Sequence, residues 1–119
     1  MAPAGFNVEA PTMQMTVNRI LTLIAVDILG EKSHGVTVAN LIINTTGKHQ
    51  TLRTGIYPTL HRLRDGGWLD QWVVGDKTPR PFYQLTKAGR KALDDQLAEF
   101  EAMGKLWREH KARSKRRAA

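Results

Sequence analysis

If the stretch TGIYPTLHRLRDGG, residues 54–67, is helical, Thr54, Pro58, His61 and Arg62 share one face, with Tyr57 and Arg64 on its flank. Ile56, Leu60 and Leu63 recur at i, i+4 and i+7 and form the opposite, apolar stripe. The polar face has the chemistry of hydrogen-bonded recognition. Thr and His can contact base edges, Arg can grip a guanine with two bonds or reach a phosphate, and a Tyr hydroxyl suits a phosphate oxygen. A helix N-terminus itself favours an anion, and the compact ring of Pro58 allows close approach. Arg53 adds a cation just ahead. A helix interior tolerates proline poorly, at about 3 kcal/mol. The spacing therefore predicts an N-cap at Thr54 or Gly55, with Pro58 in the first turn, where its missing N–H is largely an orphan.

Alone, such a face reads more readily as a solvated surface. The segment after it tips the balance towards recognition. WLDQWVV (68–74) and FYQL (82–85) are strands by propensity, and GDKTPRP (75–81) between them makes a long, turn-rich hairpin tip carrying Lys77 and Arg80. A basic hairpin can hold phosphates or an adjacent minor groove.

These groups need a frame. Residues 1–14 carry Pro3, Gly5 and Pro11 without periodicity and read as an arm. Thr16 can cap a first helix whose Val17, Ile20, Leu21, Ile24 and Ile28, with Leu23, Ala25 and Val26, make it apolar nearly all round. Gly30 ends it. That pattern implies burial on more than one side, and a second copy of the chain is one way to supply it. A second helix is expected over 36–46, with Val38, Ala39, Leu41 and Ile42 inward and Gly47 as its stop. Gly66-Gly67 closes the third, and Thr86 caps the last. Along that last helix Leu93, Leu97, Phe100, Gly104 and Trp107 step 4-3-4-3, a heptad-like seam. Beyond Trp107 the chain is expected to fray into a basic tail, 108–119. The fold is thus mainly α with a small β-hairpin: a winged helix-turn-helix over 15–86 and a C-terminal helix over 87–107, whose seam suits either packing on the winged domain or dimerisation.

The charge pattern agrees. The net charge of +7 is spread as zero over residues 1–52, +5 over 53–91, −4 over 92–104 and +6 over 105–119. Two basic blocks around an acidic one suggest a polyanionic partner, nucleic acid before membrane. The tail would add sequence-independent, salt-sensitive affinity. Enzymatic machinery is not visible. His34, His49, His61 and His110 show no metal-ligand spacing, there is no cysteine, and no Gly-rich phosphate loop occurs. Asp94 and Asp95 point about 100° apart on a helix and cannot pair as acid and base. No catalytic residue, metal or cofactor is expected. The apolar run Ile20–Leu29 is too short to span a bilayer and contains Asp27, and no signal peptide is seen, so a cytoplasmic protein is the expectation.

GIYPTLHRLRDGGWL followed by RPFYQLTKAGRKAL resembles the PadR family of bacterial winged-helix transcriptional regulators. Tyr57, Pro58, Leu60, Arg62, Leu63, Gly67, Trp68, Tyr83, Leu85, Thr86 and Gly89 sit at matching steps, and the resemblance runs over about 15–103. One step departs. The family has Gly three residues before its Tyr with Ser or Thr between, whereas Gly55 stands two before Tyr57. Either Thr54 and Gly55 have exchanged roles or a residue is missing, and Thr54 is left as the hydroxyl candidate. The resemblance implies a homodimer held by the first and last helices, through Ile20, Ile24, Leu93, Leu97, Phe100 and Trp107. It implies a repressor that binds a near-palindromic double-stranded operator. For some relatives it implies a small aromatic or hydrophobic inducer, which Trp68, Trp72 and Trp107 could line; Trp68 and Trp72 share a strand face and read more readily as core. Two other classes fit the same fold. A protein–protein adaptor would show no duplex preference, and a plasmid or phage replication or partition factor would bind repeated sites.

Overall fold

The computed structural model describes residues 16–47 and 49–118, and the side chains of 49–54 and 118 fall outside that description. The arm expected over 1–14 also lies outside the described residues. Helix α1 spans Val17–Leu29, α2 Gly35–Thr46 and α3 His49–Asp65. Strands β1, Leu69–Val74, and β2, Arg80–Leu85, form an antiparallel hairpin, and α4 runs from Lys87 to Ala118. The mainly helical winged helix-turn-helix with a long last helix is borne out.

The helix ends are set as the sequence requires. Thr16 Oγ1 accepts from Arg19 N at 3.3 Å, and Gly30 leaves α1 at φ 56°. Gly47 ends α2 in the left-handed region, φ 71°, its N–H bonded to the Ile43 carbonyl at 2.7 Å. At the end of α3 the Trp68 N–H reaches the Leu63 carbonyl at 2.9 Å and the Gly67 N–H reaches Arg64 at 3.0 Å. With Gly67 at φ 83°, this is a Schellman closure.

Two expectations are corrected. Helix α3 begins at His49, so Pro58 lies about two and a half turns inside it and not at its entrance. The missing hydrogen bond is outweighed by packing: Ile56, Leu60 and Leu63 are all buried, while Pro58 itself faces solvent, where the freed carbonyl can be hydrated. The second concerns α4, which does not fray at Trp107 but stays helical to Ala118. Residues 105–118 contain no Gly or Pro. Lys111 Nζ sits 5.8 Å from the Trp107 ring centre, and Lys115, Arg116 and Arg117 complement the helix dipole in the last turn.

The core lies where α1, α2 and α3 meet the hairpin, around Leu23, Val26, Val38, Leu60, Leu63, Leu69 and Tyr83. The hairpin is fastened on its other edge by Tyr83 N donating to the Ser33 carbonyl at 2.9 Å and by a bridge between His34 and Phe82. The step into α4 is equally fixed. Thr86 Oγ1 donates to the Gly67 carbonyl at 2.7 Å and accepts from Gly89 N at 3.0 Å. Gly89 packs so closely on the Trp68 carbonyl that a Cβ would collide with it. This accounts for the Thr-x-x-Gly spacing.

The Tyr83 hydroxyl is buried with no hydrogen-bond partner among the described residues, and burial raises its pKa. A buried unpaired hydroxyl is costly. Tyr83→Phe is therefore expected to leave stability unchanged or raise it by about 1 kcal/mol, read from urea denaturation. A loss larger than that would show that the hydroxyl has a partner.

Candidate nucleic-acid interface

The buried stripe of α3 turns its other face outward. Tyr57, Pro58, His61 and Arg62 are all exposed. Arg53 and Thr54 lie on the same helix, with side chains outside the described residues. Arg64 is committed differently. Its guanidinium donates to Gln71 Oε1 at 2.7 Å and to Asp65 Oδ1 at 3.0 Å, which ties the end of α3 to β1.

The wing differs from expectation at one step. Strand β2 starts at Arg80, which pairs with Val74, so the connection is 75–79 and only Lys77 lies at its tip. Pro81 is accommodated because its nitrogen, like Tyr83 N two residues on, faces away from β1 and takes no place in the ladder. Both Lys77 and Arg80 are exposed. Trp72 stacks on its cross-strand neighbour Phe82, ring centres 5.9 Å apart, and His34 meets Phe82 edge-on at 5.2 Å.

The start of α2 joins helix face to wing, which sequence reading missed. A Cβ on Gly35 would lie 2.5 Å from Tyr57 Cε1 and 2.7 Å from its hydroxyl, so the tyrosine ring occupies the space glycine leaves. Next to it, His34 is held below its ordinary pKa by burial and by the charge of Arg80. Neutral at pH 7, it adds no cation of its own. The front of α2 thus lies beside Tyr57 on one side and the base of the wing on the other, and a capping box between His34 and Thr37 holds it. The available signal was Gly35 at the mouth of a helix, which reads as an ordinary loop end until Tyr57 is placed against it.

The tryptophans are dispersed. Trp68 is buried in the core, and Trp107 is exposed on α4. Trp72 borders a cleft of about 350 Å³ with Asp27, Glu31, Gln84, Leu85 and Arg90, lined by neither of the other two. Among the dimer candidates, Ile20 and Leu93 are buried in the chain's own core. Ile24, Leu97 and Phe100 are partly covered, and Trp107 is exposed beside His110 and Lys111.

Residues 24–95 match the transcriptional regulator PadR-like family. The chain belongs to the PadR-like family. Its fold is similar to that of a transcriptional regulator from Clostridium thermocellum, at 23% identity and a TM-score of 0.60 over 78% of this chain and 91% of that one. It is similar to Bacillus subtilis PadR in complex with operator DNA, at 25% identity and a TM-score of 0.55 over 71% of this chain and 48% of that one. A Streptococcus transcriptional regulator matches at 17% identity and a TM-score of 0.63, over 83% and 99%. No curated protein matches the sequence. PadR-like proteins are regulators of transcription, so the family gives this chain a regulatory and not an enzymatic role. The family match ends at residue 95, early in α4. No helix among the described residues is long and apolar enough to cross a membrane.

Proposed function

We propose that this PadR-like regulator is a homodimeric repressor that binds a two-fold-related operator in double-stranded DNA, with α3 in the major groove. The observation that carries this reading is the α3 face: Tyr57, His61 and Arg62 outward over a stripe that is entirely buried. His61 and Arg62 read base edges, together with Arg53 and Thr54, while Pro58 permits close approach. Tyr57, beside the front of α2, and the wing cations Lys77 and Arg80 hold phosphates. The winged domain over 15–86 and the dimerisation helix over 87–107 keep those roles, and the basic end over 108–119 adds salt-sensitive affinity for DNA. The dimer uses the outer side of α1 at Ile24 and the exposed half of α4 at Trp107. An aromatic effector would stack on Trp72, in the cleft beside the Arg90–Asp27 ion pair.

Gly35→Ala tests the Tyr57 role. The added methyl must push the half-exposed ring aside, at small cost to folding. Operator affinity is expected to fall by about 1 kcal/mol, roughly fivefold, with little change in Tm. Fluorescence anisotropy with a labelled duplex reads the affinity, and an unchanged Kd would remove Tyr57 from the interface. For repression, a reporter placed behind the bound promoter should rise when the regulator is deleted; a fall would make it an activator.

A further inference from the structure

His34 stands where three elements meet. It precedes α2 directly, its backbone bridges Phe82 of β2, and its ring meets the Phe82 ring edge-on at 5.2 Å. The next residue, Gly35, leaves the space that Tyr57 of α3 fills. One step back, the Ser33 carbonyl accepts from Tyr83 N at 2.9 Å. Residues 33–35 therefore form a seam that joins the wing to the outward face of α3.

The seam suits a neutral imidazole. His34 and Thr37 close the mouth of α2 as a capping box, with His34 N donating to Thr37 Oγ1 at 3.0 Å and the His34 side chain as the acceptor half. An imidazole accepts a hydrogen bond only while one of its nitrogens is unprotonated. Phe82 alternates with the buried Tyr83, so Phe82 and Arg80 share the outer face of the hairpin, and the His34 ring lies on that face. Protonation would set a second cation beside Arg80 and at the positive end of α2. The other titratable or charged side chains around the seam are Glu31 and Lys32 in the turn Gly30–Lys32, Tyr83 on β2 and Tyr57 on α3. Among all of these only Arg80 acts on His34 by its charge, and it acts in the same direction as burial. Burial first, and Arg80 second, hold the imidazole below its ordinary pKa of 6.5. The sign follows: stability contributed by neutral His34 is present above pH 6.5 and is lost as the pH falls through the lowered value.

We propose that His34 is a positioning residue for operator binding, a latch that docks the wing against α2 and α3 while neutral and releases it in acid. This rests on the operator reading above, in which Tyr57 and the wing cations must be held in one arrangement to meet phosphates. The His34 ring lies on the opposite side of the hairpin from Gln71, which Arg64 of α3 holds. It acts through Arg80 and Tyr57 and makes no DNA contact of its own.

The test has two readouts on the full-length protein, each followed against pH. Operator Kd, read by fluorescence anisotropy with a labelled duplex, should rise roughly threefold or more between about pH 7.5 and pH 5, because only the fraction with neutral His34 is competent to bind. His34→Asn keeps a capping side chain but does not titrate, so it should flatten that profile. Every other histidine is kept in the variant, so the difference between the two profiles belongs to His34. Amide exchange in the free protein, corrected for its intrinsic pH dependence, follows the seam itself. Protection of the Tyr83 N–H should fall over the same range in the wild type and not in His34→Asn. The Trp68 N–H, bonded to the Leu63 carbonyl at the end of α3, should keep its protection in both. The proposal is overturned if Tyr83 protection does not change with pH, or if His34→Asn keeps the wild-type profile. It is also overturned if acid tightens wild-type binding relative to the variant, which would set a phosphate on His34. A protein that binds no duplex at any pH loses the operator reading, and the Tyr83 amide alone then decides the latch.

Discussion

Leu60→Ala is expected to destabilise the protein by about 2–5 kcal/mol in urea or thermal unfolding. Leu60 is fully buried, at the centre of the α3 stripe. Domains of this size are commonly stable by only about 5–15 kcal/mol, so the change would remove a large share. The position is more demanding than an ordinary core leucine. Helix α3 contains Pro58 and so gives up a backbone hydrogen bond two residues away. Its persistence from His49 to Asp65 depends on tertiary packing through Ile56, Leu60 and Leu63. A loss below about 1 kcal/mol would mean that this stripe is not what holds the helix. The same substitution should abolish DNA binding in step with the unfolded fraction.

Arg62→Ala is expected to do the converse. Arg62 is exposed and makes no ion pair among the described residues, so folding should be nearly unchanged. Operator affinity should fall by about 1–3 kcal/mol, with discrimination relaxed at one position of the site. Binding measured against a panel of single-base operator variants reads both effects. Equal weakening on every duplex would reassign Arg62 to phosphate. Arg64 provides the contrast. It is already hydrogen-bonded to Gln71 and Asp65, so Arg64→Ala should loosen the attachment of wing to helix without altering base preference.

Much of this was legible in the sequence because it is written in local signals. Thr16, Gly30, Gly47, Gly66-Gly67 and Thr86 each mark a boundary with its own backbone chemistry, and all are used in the structure. The α3 stripe was legible for the same reason, since three apolar residues at helical spacing have one way to be buried together. What local signals could not give was the outcome of competition between levels. The entrance of α3 was misplaced because the proline penalty is local whereas the packing that offsets it is not. The end of α4 was misplaced because a basic, polar stretch looks unanchored, although helix propensity and the helix dipole favour it. The Tyr57–Gly35 contact joins residues far apart in sequence and different in type, so no periodicity points to it.

The central claim is that a dimer reads duplex DNA through α3. The most direct measurement is selection from a random duplex pool by the purified protein at roughly physiological salt, with sequencing of the enriched molecules. One motif with two-fold symmetry is expected, its half-sites about one helical turn apart. Enrichment of nothing, with binding that disappears as salt rises, would contradict it and leave only non-specific attraction between basic side chains and phosphate.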